Sequence, residues 1–305
     1  MLKRYRPGLI YCEMVKMDAL VRNDSGTFRM LDYEPEMHPI GGQLCGSKPH
    51  LAGPCAKIIE DLGFDVVDLN CGCPVDKVTK DGSGSGLLKN PQLIGEIVSN
   101  MVAAVKIPVT VKIRVGWDEQ HIVAEEITQI VEQAGAKAIC IHGRTRAQAY
   151  TGKANWDHIK RCKQVAKNIA VIGNGDLFDP ISVQNIFAHT GCDAVLIARG
   201  TMGQPWITED IPYFLEHGVL PERTHAFCLQ ELLTHLDHIV SYQVGPKVVT
   251  DFRRVCCWYL KSMPNVRSLR EFINTTKCAV TIRATIEERL QEISSCLDLP
   301  SAPVA

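Results

Sequence analysis

Leu62-Gly63-Phe64-Asp65-Val66-Val67-Asp68-Leu69-Asn70 is the stretch that decides the fold. A helical pattern closes on a glycine, two residues pass, and a β-branched run follows. Glycine just past a helix end takes the left-handed conformation without a Cβ penalty. A short apolar run after it reads as a strand buried on both faces. The same unit returns at Ala134-Gly135-Ala136-Lys137-Ala138-Ile139-Cys140-Ile141-His142 and at Thr190-Gly191-Cys192-Asp193-Ala194-Val195-Leu196-Ile197-Ala198-Arg199. Recurrence of this kind marks alternating β/α units around a parallel sheet.

Working outward, strands are predicted at Leu9–Glu13, Ile40–Cys45, Val66–Asn70, Val109–Arg114, Ala138–His142, Ala170–Gly173 and Val195–Ala198. Two helix starts are marked by a capping side chain before a proline: Asn90-Pro91 and Asp179-Pro180. Seven strands fall one short of a closed (β/α)₈ barrel. A doubly wound sheet would need a glycine fingerprint, and Gly82-Ser83-Gly84-Ser85-Gly86 does not supply one, since it follows a loop and lacks the G-x-G-x-x-G spacing. The expected fold is therefore an α/β TIM barrel missing its first strand. From Pro221 helical periodicity continues without strands, through Phe227–Val244, Pro246–Lys261, Leu269–Lys277 and Ala279–Cys296. The expected organisation is a barrel domain over 1–220, a helical bundle over 221–298 and a flexible tail over 299–305.

The 305 residues carry a formal net charge of −1, so a nucleic-acid partner would be gripped by a local basic face rather than by overall charge. No run approaches the roughly 18 apolar residues of a membrane span, and no secretory signal follows Met1. Thirteen cysteines are scattered, many in apolar segments, and a reducing cytoplasm is expected. Cys71-Gly72-Cys73 has no second Cys/His pair at zinc spacing, so no metal site is expected. Nothing points to a protein partner, and a monomer is expected.

Barrel active sites lie at the C-terminal ends of the strands, with phosphate often held after strands seven and eight. Gly173-Asn174-Gly175-Asp176 and Ala198-Arg199-Gly200 stand at those places. Each could be an ordinary turn; occurring together they point to a phosphate-bearing cofactor. Gln43, Asn70, Lys112, Arg114 and His142 add polar groups at or near other strand ends. A lysine within a buried strand is either salt-bridged or functional. Cys73 follows a strand end and precedes Pro74, where a thiol can serve as acid or nucleophile, and the Gly/Ser stretch 82–86 reads as a mobile flap over the mouth.

Asn70-Cys71-Gly72-Cys73-Pro74, Lys112-Ile113-Arg114-Val115-Gly116-Trp117, Ile141-His142-Gly143-Arg144-Thr145-Arg146, Gly173-Asn174-Gly175-Asp176 and Gln204-Pro205-Trp206 together resemble the tRNA-dihydrouridine synthase family, bacterial B-type, over nearly the whole chain. The resemblance implies an FMN-dependent oxidoreductase that reduces the C5–C6 bond of a tRNA uridine with NADPH or NADH. Cys73 matches the proton donor. Gln43, Lys112, Asn174, Gly175, Asp176, Ala198 and Arg199 match positions that hold FMN, and His142 matches a histidine beside it. Asn70 matches a residue orienting the uracil, and Arg144 is expected to meet substrate. Two departures stand out. Nothing matches the Ala-Pro-Met-like first strand of the family, in line with the strand count, and Ala198 replaces a usual glycine.

A tRNA substrate calls for a basic face on the helical segment. Lys247, Arg254 and Lys261 lie seven apart, about two helical turns, and so can share one. A solvated helix surface is the plainer reading of the same residues. Two other functions stay open: a different FMN barrel oxidoreductase acting on a small molecule, and an inactive RNA-binding remnant.

Overall fold

Each β-branched run named above forms a strand in the computed structural model, which describes residues 1–297; the expected tail at 299–305, like residue 298, lies outside the described residues. The strands are β1 (Ile10–Tyr11), β2 (Val15–Lys16), β3 (Ile40–Cys45), β4 (Val66–Cys71), β5 (Val109–Arg114), β6 (Ala138–His142), β7 (Ala170–Asn174) and β8 (Ala194–Leu196). All pair in parallel in the order β1-β3-β4-β5-β6-β7-β8, with β2 also on β3.

The predicted first strand is thus two pieces sharing one position. Ile10 pairs with Ile40 and Val15 with Leu44, so one residue more lies on the first strand than on β3 between these points. That extra residue is a bulge, which interrupts the ladder at Cys12–Met14. The sheet has the seven positions read from the sequence, and among the described residues no pairing joins β8 to β1.

Helices cover one face: α1 (Met17–Leu20), α3 (Pro49–Asp61), α5 (Pro91–Ala104), α6 (Ala124–Gln133), α7 (Asp157–Val165) and α8 (Pro180–Thr190); the short α2 (Ser25–Arg29) packs on α1, and α4 (Asp76–Thr79) on the 3₁₀ turn Gly84–Lys89. The helix starts form as predicted. Asn90 accepts from the Leu93 N–H, and Asp179 closes a capping box with Ser182, each ahead of its proline. Strand alternation sorts the residues. Gly42 backs onto Ile59 of α3 and Gly173 onto Ile186 of α8, so Val67, Leu69, Val111, Ile113, Ile139 and Ile141 face helices in the core. Gln43, Asp68, Asn70, Thr110, Lys112, Arg114, His142 and Asn174 share the opposite face.

The chain divides into two compact units, Pro7–Ala198 and the chain from Arg199 together with Met1–Arg6. The second holds α9 (Ile207–His217), α10 (His225–Tyr242), α11 (Pro246–Tyr259), α12 (Arg267–Thr275) and α13 (Ala279–Leu297). Its core packs Trp206 edge-on against Tyr5, Phe227 and Tyr259, over Leu229, Leu232, Leu236, Phe252 and Val255. Arg4 reaches buried Glu231 at 3.1 Å, which ties the N-terminal segment to this unit. No helix among the described residues is long and apolar enough to cross a membrane.

Candidate active site

The polar face of the sheet is wired rung by rung. Parallel register sets Gln43 beside Asp68, Asp68 beside Thr110 and Asn70 beside Lys112. It also sets Arg114 beside His142, and His142 beside Asn174. Sequence-distant residues meet because parallel pairing sets them side by side on one face; Asn70, Arg114, His142 and Asn174 lie at or next to the C-terminal ends of their strands, whereas Thr110 lies near the start of its own.

Cys73 stands half-buried just past β4, held from three sides. Asn70 Oδ1 accepts from the Gly72 N–H at 3.1 Å and the Cys73 N–H at 2.9 Å, closing the turn that carries the thiol. The Cys73 carbonyl accepts from the Ser85 amide at 3.0 Å and the Ser85 hydroxyl at 2.9 Å. Buried Arg114 donates to Gly72 O at 2.9 Å and, with its other arm, to Thr145 O and Ala149 O. The Gly/Ser stretch is therefore no loose flap. Ser83, Gly84 and Ser85 are buried, and Gly84 has φ +58° with an added Cβ falling 3.0 Å from Cys73 O and 3.2 Å from Cys73 Cβ. Glycine is needed there because the turn crosses directly against the cysteine.

Lys112 is partly exposed, and its Nζ donates to Asn174 Oδ1 at 3.1 Å, its sole hydrogen-bond acceptor among the described residues. An ammonium has three N–H groups, so two remain for a ligand. Asn174 in turn donates to Leu196 O at 2.7 Å, which ties β7 to β8. Gln43, half-buried, donates to Asp68 at 2.8 Å and keeps one amide hydrogen unused. Burial pushes the Asp68 carboxyl up to about 6, with Thr110, Gln43 and the Lys112 charge opposing the rise. Burial likewise raises the Cys71 thiol and pushes Cys140 to about 12, so these neighbours remain inert thiols.

Arg144 is buried and turned inward. It donates to Thr151 O at 3.2 Å, Gly152 O at 2.6 Å and Asp176 Oδ2 at 2.8 Å, and its Nη1 lies 3.4 Å from His142 Nε2. A guanidinium only donates, so that contact requires Nε2 to carry the lone pair. Asp176 also accepts from Ala154 N at 2.8 Å, and Trp156 donates to Gly175 O at 3.0 Å. The turn expected to cradle phosphate is thereby fastened to the loop after β6. Ala198 follows β8, and Arg199 begins the 3₁₀ turn Arg199–Thr201.

Lys247 and Arg254 lie exposed on α11, and Lys261 is exposed in the 3₁₀ turn after it. Arg254 pairs with Asp251 at 2.8 Å and lies over the Trp258 ring. Lys261 borders an open bowl of about 640 Å³ with Asn265, Arg267, Arg270 and Glu271. Sequence reasoning gave no role to Asp68, Thr110 or Ser85. The signal for the first was an acid two residues before Asn70 in an otherwise apolar strand, which alternation places on the same face. Among the described residues no group of three or more His, Cys, Asp or Glu gathers at metal-binding spacing.

The parallel sheet is of the TIM-barrel class, and its polar face gathers a braced thiol, a cation and oriented amides. The profile of the dihydrouridine synthase family matches residues 1–294, and the chain belongs to that family. It is 36% identical to tRNA-dihydrouridine synthase B of Xanthomonas axonopodis pv. citri, over 89% of this chain and 82% of that protein. It is 33% identical to a probable tRNA-dihydrouridine synthase of Rickettsia prowazekii, over 94% and 88%. A probable tRNA-dihydrouridine synthase of Synechocystis is 34% identical, over 97% and 83%.

Proposed function

We propose that this chain reduces the C5–C6 double bond of a uridine in tRNA, with FMN as bound cofactor and NADPH or NADH as reductant. The observation that carries the reading is Cys73, held by Asn70, Ser85 and Arg114 at the edge of a polar face that also bears Lys112 with donors to spare. Membership of the dihydrouridine synthase family, and similarity to tRNA-dihydrouridine synthases, support tRNA as the substrate.

The residues fit a flavin. Lys112 and Gln43 offer unused N–H donors to an electron-rich ring, and His142 is fixed in place by Arg144. Asn174, Gly175 and Asp176 form a turn rigid enough to receive the cofactor's polar tail. Bound FMN would supply the hydride for C6, a chemistry no side chain has. The protein's own part is the proton: Cys73 Sγ–H delivers it to C5 as general acid. The target base must leave its stack to reach a buried site, and Asn70 lies beside the thiol to meet it. Phosphate contacts fall to the exposed cations Lys247, Arg254 and Lys261.

The test is anaerobic. FMN-loaded protein is reduced with one equivalent of NADPH and mixed with unmodified tRNA while the visible spectrum is followed. The flavin should reoxidise only when tRNA is added, and Cys73→Ala should slow this by about 10²–10⁴. Reoxidation by a small enone but not by tRNA would sink the proposal.

A further inference from the structure

An unbroken line of hydrogen bonds runs from the buried interior to the backbone of Cys73, and every link has a direction. Thr110 Oγ1 donates to Asp68 Oδ1 at 2.6 Å, and Gln43 Nε2 donates to Asp68 Oδ2 at 2.8 Å. Asn70 Nδ2 donates to Gln43 Oε1 at 2.8 Å. Asn70 Oδ1 then accepts from the Gly72 and Cys73 amides. We propose that Asp68 is a positioning residue that acts through the polarity of this line, fixing which way the Gln43 and Asn70 amides point and so holding the Cys73 turn.

Donors and acceptors set the direction. A side-chain amide has one accepting end and one donating end of nearly equal shape, so it can sit either way round. Both backbone groups at the far end are N–H donors, which demand the oxygen of Asn70. Asn70 then presents its NH₂ to Gln43, which must answer with oxygen and present its own NH₂ onward. The line closes only if position 68 accepts. Asp68 accepts at both oxygens, and it does so while only 3% exposed, where water cannot repair a wrong pairing. Holding a charge-capable group in such a place is costly, and its partners offset part of that cost: Thr110 and Gln43 each donate to one oxygen.

Asp68 touches neither the thiol nor any group assigned to substrate. Its consequence for the reaction rests on the reading of Cys73 as proton donor, but its effect on the turn does not. That separation allows a test without tRNA, reductant or flavin turnover. The readout is the exchange rate of the Gly72 and Cys73 amides at pH 8 in the full chain, for wild type, Asp68→Asn, Asn70→Asp and the double variant.

Asn70→Asp places acceptors at both ends of Gln43, whose one amide cannot serve two, and exchange should quicken on the order of tenfold. Asp68→Asn alone should change it little, because its oxygen can face Gln43 while its NH₂ faces Thr110, whose hydroxyl turns to accept. The double variant reverses the whole line: the new amide at position 68 donates to Gln43, and Gln43 donates to the new carboxylate at position 70. Its exchange should return close to wild type. A double variant that exchanges as fast as Asn70→Asp, or an Asn70→Asp variant indistinguishable from wild type, would overturn the proposal. Should Asn70→Asp fail to fold, the double variant is expected to fold, and its failure would count equally against the proposal. None of these results depends on whether tRNA is the substrate.

Discussion

Replacing Arg144 with methionine separates an internal brace from a substrate contact. The Arg144 side chain is 3% exposed and its N–H groups are directed at Thr151 O, Gly152 O, Asp176 and His142. Removing one partner of a buried ion pair costs about 3–5 kcal/mol. Asp176 keeps 26% exposure, so water can resolvate part of its carboxylate, and methionine refills the apolar stem. Discounted for that screening, the expected loss is about 2–3 kcal/mol. The loss should be local, in the loop that Arg144 fastens. Amide exchange read by mass spectrometry suits a chain of two units, because it reports each segment separately. The Ala154 amide bonds to Asp176 and the Asn155 amide to Gly143 O, so peptides covering them are the reporters. At about 1.4 kcal/mol per decade, exchange there should rise about 30- to 150-fold. A rise below about threefold, with a raised KM for tRNA instead, would refute the reasoning and make Arg144 a substrate reader.

Four further outcomes are expected. Gly84→Ala forces a Cβ against Cys73 and a left-handed backbone, so turnover should fall while the flavin spectrum is retained; unchanged turnover would mean the turn does not set the thiol. Cys73→Ala should lose about 10²–10⁴ in rate without losing flavin, checked by single-turnover spectra. Asp68 has a folded pKa of about 6, raised by burial above the usual carboxylate value of about 3.9. Its contribution is greatest below the unfolded value and falls by about 3 kcal/mol as pH rises through about 6, so Asp68→Asn should remove that fall when urea midpoints are compared at about pH 4 and pH 7. A slope unchanged in the variant would refute the assignment. Lys247→Ala and Lys261→Ala should each raise the KM for tRNA and lower its salt dependence by roughly one ion, with the flavin unaffected; Arg254→Ala should do less, since Asp251 already partners it.

Strand positions were legible because a parallel strand buried on both faces must be an apolar run, and a helix must stop before it. Hence β5 and β6 match their predicted ranges residue for residue, while β7 and β8 shift by one or two at their ends. The first strand was not legible as two pieces, because its bulge is set by pairing with β3 rather than by its own residues. The site was legible to the extent that polar residues at strand ends betray themselves: Gln43, Asn70, Lys112, His142 and Asn174 do share one face. The direction of side chains was not. Arg144 is expected from sequence to meet substrate, and its guanidinium faces four groups within the fold. Five residues alternating glycine and serine looked mobile, whereas close approach to Cys73 is what requires Gly84 and Ser85 there. Both arrangements rest on tertiary contacts that local pattern does not encode.

The most direct measurement is the nucleoside content of unmodified tRNA after incubation with this chain, FMN and NADPH, digested and read by mass spectrometry. A uridine should gain two hydrogens at defined positions, and Cys73→Ala should form this product about 10²–10⁴ more slowly. Flavin-loaded protein that leaves every uridine unchanged would contradict it.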